Sequence, residues 1–300
     1  MNEHANVIVF GGSGFIGSHV VDALSNRGKK VRVFDIKENP YLCDKHEMIV
    51  GDIMDIDSVI KACKGCEAVY NFAGLADIDE AMNRPLDTVK LNVLGNIHIL
   101  EGARLAGAKR FVFASSVYVY SDSGSFYKTS KQTAEGFIEE YQKRYGLTYT
   151  ILRYGSLYGP RSDMRNGIYR LLYRALTEGR MFYRGCGEEI REYIHVQDAA
   201  NASVDILSPE YANQNIILTG NERMKVKEIM AMISEMLRKN ITIEFTQDEP
   251  TGHYTITPYV FHPKLGKKLV VNPHIDLGQG ILDCISDIYE KTYKNEIFIK

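Results

Sequence analysis

The sequence predicts an α/β protein: a doubly wound parallel sheet with a smaller C-terminal lobe. Three observations carry this. Through the first two-thirds of the 300 residues, short apolar runs alternate with amphipathic helical stretches. Such alternation means βαβ units, and so a parallel sheet covered on both faces. The chain opens on VIVFGGSGFIG, residues 7–17, an apolar strand that runs straight into a glycine cluster and then a helix. After Pro160 the rhythm changes to helices with short strands between them.

Bulk properties bound the class. A hydrophobic content of 45% supports a large core, in one domain or one domain plus a lobe. A net charge of -2 gives no field that favours nucleic acid. The N-terminus has no basic stretch followed by an apolar one, and no segment is apolar for the length of a membrane helix. A soluble cytoplasmic protein with no membrane or nucleic-acid partner is expected. Five cysteines, Cys43, Cys63, Cys66, Cys186 and Cys284, are an odd set in a long chain and argue against a disulfide framework. Cys63 and Cys66 have CxxC spacing, but no second pair accompanies them, so they read as reduced thiols at a helix end and no metal site is expected.

The elements follow in order. Residues 7–10 make a buried strand. Gly11, Gly12, Gly14 and Gly17 let the backbone turn and approach a phosphate closely, and the helix over 18–27 aims its N-terminal N–H groups at that spot. The strand at 31–34 leads to Asp35, about 20 residues past the loop, where a carboxylate can accept hydrogen bonds from a ribose or cap the next turn. The strand at 47–50 leads to Asp52, which either contacts an adenine or serves a turn. A short helix spans 58–63. The strand at 68–72 ends at Ala73 and Gly74, small enough for a cofactor to lie against the backbone. A long helix runs over 85–105, with Pro85 in its first turn. The strand at 110–114 leads to Ser115 and Ser116. A helix over 128–145, closed by Gly146, and a strand at 148–152 complete this part. Beyond Pro160, helices are expected at 167–178, 197–207, 225–238 and 277–293, and strands near 181–183, 216–218 and 241–245. Residues 246–266 are poorly periodic.

Tyr127 and Lys131 stand four apart, on one face of a helix. A phenol ordinarily titrates near ~10. An adjacent ammonium favours the phenolate, so Tyr127 is expected to be acidified into a usable general base. Ser115 or Ser116 can complete a proton path to a substrate oxygen. His195, in an apolar strand without a metal partner, reads as structural.

In this order and spacing, the motifs resemble the extended short-chain dehydrogenase/reductase family, the NAD-dependent nucleotide-sugar epimerases and dehydratases, over about residues 7–208. The resemblance implies a Rossmann domain over 1–160, with returns from the later chain, and a substrate-binding lobe over 161–300. It implies that Gly11, Gly14 and Gly17 bind the NAD pyrophosphate beside Phe15 and Ile16. Asp35 would bind ribose, Asp52 and Ile53 would border adenine, and Ala73, Gly74 and Tyr154 would line the cofactor. Asn92 would fix the bend of the fifth-strand region near the nicotinamide half. Ser116, Tyr127 and Lys131 would be catalytic, with Tyr127 and Lys131 also touching NAD. Ser156, Asn166, Tyr183 and Arg191 would hold the nucleotide-diphosphate sugar, Arg191 through its diphosphate.

The sequence departs from that pattern in places. The connection from Ser121 to Tyr127, SDSGSFY, is shorter than the proline-rich loop usual in relatives, and position 156 is Ser where many relatives have Asn. The second diphosphate Arg expected around 251–257 is missing, leaving His253 or Tyr254 to replace it. Dehydratases carry an Asp-Glu pair where this chain has Val117 and Tyr118. Val117 has no ionisable group, which argues against water loss. The expected function is C4 epimerisation through a 4-keto intermediate, in a homodimer built on the helices from Pro85 and Lys128. A 4-keto reductase or dehydratase is the alternative enzyme. A non-catalytic dinucleotide sensor is a third reading, disfavoured because Tyr127 and Lys131 are both present.

Overall fold

The computed structural model describes residues 6–42, 46–221, 223–238, 240–246 and 253–259, all within the unit Met1–His262. Strand β1 (Val7–Phe10) leads through the glycine loop to helix α1 (Phe15–Asn26), then β2 (Val31–Asp35) and β3 (Glu47–Val50). Helix α2 (Ile56–Cys63) follows, then β4 (Ala68–Asn71), α3 (Ile78–Asn83), α4 (Pro85–Val89) and α5 (Gly95–Leu105). Next come β5 (Arg110–Ser116), α6 (Ser125–Tyr145), β6 (Tyr149–Tyr154) and β7 (Ser156–Tyr158). The later elements are α7 (Gly167–Glu178), β8 (Arg180–Arg184), β9 (Ile190–His195), α8 (Val196–Asp205), β10 (Gln214–Leu218), β11 (Arg223–Lys225), α9 (Val226–Leu237) and β12 (Thr242–Thr246).

Seven strands form one sheet in the order β10-β6-β5-β4-β1-β2-β3, and every pairing is parallel. This is the Rossmann arrangement expected from the sequence. The strand order reverses between β1 and β4, and a crevice opens there at the carboxyl ends. The loops after β1 and β4, and the end of β5, meet at that edge.

Alternation along the strands fills two cores. Ile8 and Phe10 pack with Phe34, Ile99, Leu100 and Ile138 on the face covered by α2, α5 and α6. Val7, Val9 and Val33 pack with Val20, Leu24 and Val204 on the face covered by α1 and α8. A third cluster joins Leu171 and Ala175 of α7, Met181 of β8, and Ile229, Met230 and Ile233 of α9. The later chain also returns to the main sheet: β10 pairs with β6, and α8 packs on α1.

Several boundaries differ from the sequence reading. The helix expected over 85–105 is interrupted by a π-turn at Lys90–Leu94. That turn carries Asn92, whose amide is drawn into side-chain bonds described below. Strands β5 and β6 run further than expected, which carries Ser116 and Arg153 to the edge of the crevice. Cys63 and Cys66 are buried free thiols, Cys63 within the hydrophobic core. Burial pushes both thiols up, so neither is poised to react. Among the described residues, no helix is long and apolar enough to cross a membrane. No cluster of metal ligands occurs among them either. Cys43, Cys284 and the helix expected over 277–293 lie outside the described residues.

Candidate active site

The glycine loop is shaped for close contact. Gly11 has φ +74°, in the left-handed region, and a Cβ there would meet Ala73 N at 2.5 Å. A Cβ on Gly17 would meet Gly11 O at 2.2 Å. Gly14 N bonds Gly11 O at 3.1 Å and leads into α1 without a side-chain cap. The N–H groups of the first turn, beginning at Phe15 and Ile16, therefore stay open to a ligand. This cradle fits a pyrophosphate.

At the end of β2, Asp35 accepts hydrogen bonds from Ser13 N at 2.9 Å and Lys37 N at 3.3 Å. Its carboxylate thus braces the glycine loop at the carboxyl end of β2. Asp52 accepts from Met54 N at 2.9 Å, the geometry of a turn residue. Ile53 is buried in the core, where a Cβ on Gly95 would strike its Cδ1 at 2.5 Å. Its side chain packs under α5. Gly74 has φ +143°, and a Cβ there would meet Asn92 Oδ1 at 2.5 Å. Asn92 accepts from Leu75 N at 2.7 Å and donates to Leu75 O and Ser130 Oγ, each at 2.9 Å. It therefore clamps the loop after β4 to α6, rather than bending the fifth-strand region as expected.

The catalytic candidates converge at the end of β5. Helix α6 buries Tyr127, Ser130, Lys131, Ala134, Glu135 and Ile138, one face at helical spacing. Tyr127 and Lys131 are 8% and 7% exposed. The Ser116 hydroxyl stands near enough to the Tyr127 phenol to favour its ionised form, while its own bonds run to Tyr154 O at 3.4 Å and from Tyr118 N at 3.3 Å. Lys131 Nζ donates to Ala114 O at 2.8 Å and lies 5.8 Å from the centre of the Tyr127 ring. Ser115 points elsewhere: its Oγ donates to Glu135 Oε1 at 2.5 Å.

The electrostatics correct the sequence expectation. Burial is the main influence on Tyr127 and pushes the phenol up to about 12, opposed by the nearby Ser116 hydroxyl. Burial likewise pulls Lys131 down to about 8, opposed by the nearby Glu135 carboxylate. Lys131 therefore remains mostly protonated at neutral pH, but it does not by itself make Tyr127 acidic.

Sequence reasoning missed the group behind these residues. The Glu135 carboxylate accepts from Arg153 Nε at 3.0 Å and Nη2 at 2.6 Å, and both side chains are 7% exposed. The position of Glu135 one turn beyond Lys131 was the only local signal. Arg153 comes from β6 and is brought in by the fold.

Among the residues expected to hold substrate, Arg191 is buried, with its Cζ 4.4 Å above the Tyr254 ring and Nη1 3.3 Å from Thr255 O. Ser156 Oγ lies 3.4 Å from Tyr254 Oη. Tyr183 stands near Arg191, whose charge opposes the upward push that burial gives this phenol. Tyr254 thus fills the space between Ser156, Arg191 and Tyr118. Tyr118 and Tyr254 have ring centres 4.5 Å apart.

Two expected contacts are placed differently. Asn166 caps α7, accepting from Tyr169 N at 3.1 Å and donating to Leu157 O at 2.7 Å. Tyr154 turns its side chain to the opposite face of the sheet, where its hydroxyl meets Ser203 Oγ at 2.6 Å. Only its carbonyl approaches the site, 3.4 Å from Ser116 Oγ. Successive strand residues face opposite sides, so Arg153 and Tyr154 cannot both point at the crevice. His195 caps α8 through its Nδ1, 3.2 Å from Gln197 N, a structural role.

Residues 7–218 match the sequence model of the NAD dependent epimerase/dehydratase family. A putative UDP-glucose 4-epimerase of Methanocaldococcus jannaschii is 29% identical, over 92% of this chain and 95% of its own. A UDP-N-acetyl-alpha-D-glucosaminuronate decarboxylase of Bacillus cytotoxicus is 27% identical, over 93% of this chain and 96% of its own. Among solved structures, a UDP-N-acetylglucosamine 4-epimerase of Methanobrevibacter ruminantium M1 in complex with UDP-N-acetylmuramic acid superposes with a TM-score of 0.78. It is 26% identical and covers 86% of this chain and 89% of its own.

Proposed function

The chain belongs to the NAD dependent epimerase/dehydratase family, and from that premise we propose that it is a nucleotide-sugar 4-epimerase working through a 4-keto intermediate. The observation that carries the reading is the buried cluster of Ser116, Tyr127 and Lys131 at the edge of the crevice, with the buried Arg191 on its substrate side. The two 4-epimerase relatives support it.

Gly11, Gly14, Phe15, Ile16 and Gly17 would hold the pyrophosphate of NAD, and Asp35 the ribose. Ala73, Gly74 and Asn92 shape the loop beside it, Asp52 and Ile53 stand at the adenine end, and the Tyr154 carbonyl backs Ser116. When bound, NAD supplies a reversible hydride acceptor whose positive charge favours the Tyr127 phenolate. Tyr127 removes the proton from the C4 hydroxyl and later returns it. Ser116 hydrogen-bonds the phenol and passes the proton on. Lys131 supplies the ammonium charge and reaches the nicotinamide ribose.

Arg191 engages the sugar-nucleotide diphosphate, for which a planar guanidinium fork is suited. Ser156 and Tyr183 surround the same substrate, and Asn166 acts only indirectly, by holding the start of α7 against Leu157. Val117 is 1% exposed and carries no ionisable group, which disfavours a dehydratase. A homodimer forms through α4, the π-turn and α5, which expose Leu86, Val89, Leu94 and Leu105, and α6, which exposes Phe126, Phe137 and Tyr145.

The test is turnover of UDP-, GDP-, dTDP- and CDP-sugars with product stereochemistry read by NMR. Inversion at C4 without net use of NAD is expected. Tyr127→Phe should lower the rate by roughly 10²–10⁴-fold with NAD binding kept. Lys131→Ala should weaken both, and Ser116→Ala should act more mildly. Wild-type turnover in Tyr127→Phe would refute the mechanism. Stoichiometric NADH consumption with C4 reduced would make the protein a reductase. Loss of water or carbon dioxide would also exclude the epimerase.

A further inference from the structure

Beside Tyr127 lies a chain of three groups that the reading above does not use. Tyr118 Oη is 2.8 Å from His253 Nδ1, and His253 Nε2 stands 3.9 Å from Asp79 Oδ1. The rings of Tyr118 and Tyr127 are 6.2 Å apart, centre to centre. Tyr118 is therefore at the pocket, whereas the Asp79 side chain is 63% exposed. With the phenol donating to Nδ1, the imidazole's own proton sits on Nε2, toward Asp79. Burial pushes the Tyr118 phenol up and pulls His253 down. The resting pair is thus a neutral phenol donating to a neutral imidazole, ready to move a proton outward.

We propose that Tyr118, His253 and Asp79 form a proton relay between the substrate pocket and solvent, through which the site exchanges a hydrogen on the ring carbon next to C4. The proposal rests on the 4-keto reading. An enzyme acting only at the C4 hydroxyl needs no such route, because Tyr127 returns the proton it took from the same oxygen. A path to solvent serves a proton that leaves or joins carbon.

Oxidation of the hydroxyl to a carbonyl acidifies the C–H bonds beside it. That C–H bond then breaks and its electron pair forms the enolate, with negative charge on the C4 oxygen. The proton goes to Tyr118 Oη as the phenol's own proton passes to His253 Nδ1. The imidazolium releases its Nε2 proton to water beside Asp79. The reverse steps place a solvent proton on the carbon. Tyr127, carrying the proton it removed, and Ser116 hydrogen-bond the enolate oxygen meanwhile. Water is the only further reactant. Tyr118 acts directly on the substrate, and His253 positions it and accepts through it.

The experiment supplies the NAD-loaded enzyme with UDP-, dTDP-, GDP- and CDP-glucose in D₂O. Reduced nicotinamide is followed by absorbance, and deuterium at the ring carbons beside C4 by NMR. The readout is deuterium uptake per reduced nicotinamide formed. The wild type is expected to take up deuterium. Tyr118→Phe and His253→Asn should lower the ratio by about 10²-fold or more. Asn keeps an acceptor near the place of Nδ1 but cannot carry a proton, so a merely structural tether would survive that change. Reduced nicotinamide without deuterium uptake in the wild type, or a wild-type ratio in His253→Asn, overturns the relay and leaves the 4-keto reading standing. Failure to form reduced nicotinamide with all four sugars overturns that reading, and the relay with it.

Discussion

Glu135→Gln tests the buried pair behind the active site. The Glu135 carboxylate receives Arg153 Nε at 3.0 Å and Nη2 at 2.6 Å, and the Ser115 hydroxyl at 2.5 Å. Both charged side chains are 7% exposed. Gln has the same shape but no charge, and its NH₂ group would face the guanidinium donor to donor. Breaking one partner of a buried pair costs about 3–5 kcal/mol, because the other charge is left in a poorly polarisable interior. Arg153 keeps a second contact, donating from Nη1 to the Tyr120 phenol, with its Cζ 4.7 Å over that ring. The lower end, about 3 kcal/mol, is therefore expected.

The assay is urea unfolding at pH 7 followed by circular dichroism, since the chain has no Trp. The double variant Glu135→Leu/Arg153→Met replaces the pair by apolar groups and should lose less stability than Glu135→Gln alone. The same substitution has a functional signature. Glu135 is the group that holds Lys131 up against burial. Without it the Lys131 ammonium is lost at lower pH, and the alkaline limb of kcat/KM moves toward neutrality. A loss below about 1 kcal/mol, together with an unmoved alkaline limb, would refute the reasoning.

Asp35 should make the protein bind NAD more than about tenfold tighter than NADP, since juxtaposed like charges cost on the order of a few kcal/mol. Asp35→Ala should narrow the gap, and equal wild-type affinities by calorimetry would refute the assignment. Sedimentation at micromolar concentration should show a dimer, converted to monomer by Leu86→Lys if the 76% exposed Leu86 lies in the interface. A wild-type monomer would refute that. Lys131 is lowered from 10.5 to about 8 in the fold. Between those values the unfolded chain binds more protons, so its burial penalty is complete below about pH 8 and fades as pH rises to 10.5. Lys131→Met should accordingly be more stable than wild type at pH 7, with the advantage shrinking by pH 10 in urea titrations. Tyr127 acts in the opposite sense. Its folded value of about 12 against 10.0 unfolded means that the stability it contributes is lost as pH rises between them.

Local patterning alone determined the parallel sheet, the glycine loop and the Tyr127–Lys131 face. Strand and helix periods, and the need for glycine at Gly11 and Gly17, are properties of neighbouring residues and the backbone they share. Tertiary structure decided what neighbours cannot. Ser115 and Ser116 are equivalent in sequence, yet strand alternation and the packing of α6 send one to Glu135 and the other to Tyr127. The same alternation turns Tyr154 away and brings Arg153 in. Asn92 became a clamp because a π-turn places it between Leu75 and Ser130, which come from distant parts of the chain. Tyr118 and His253 are 135 residues apart and meet only when the later segment folds back over the pocket. The acidity of Tyr127 was the least legible property. Sequence supplies the ammonium that favours the phenolate, but burial penalises the charged form, and burial is set by everything packed around it.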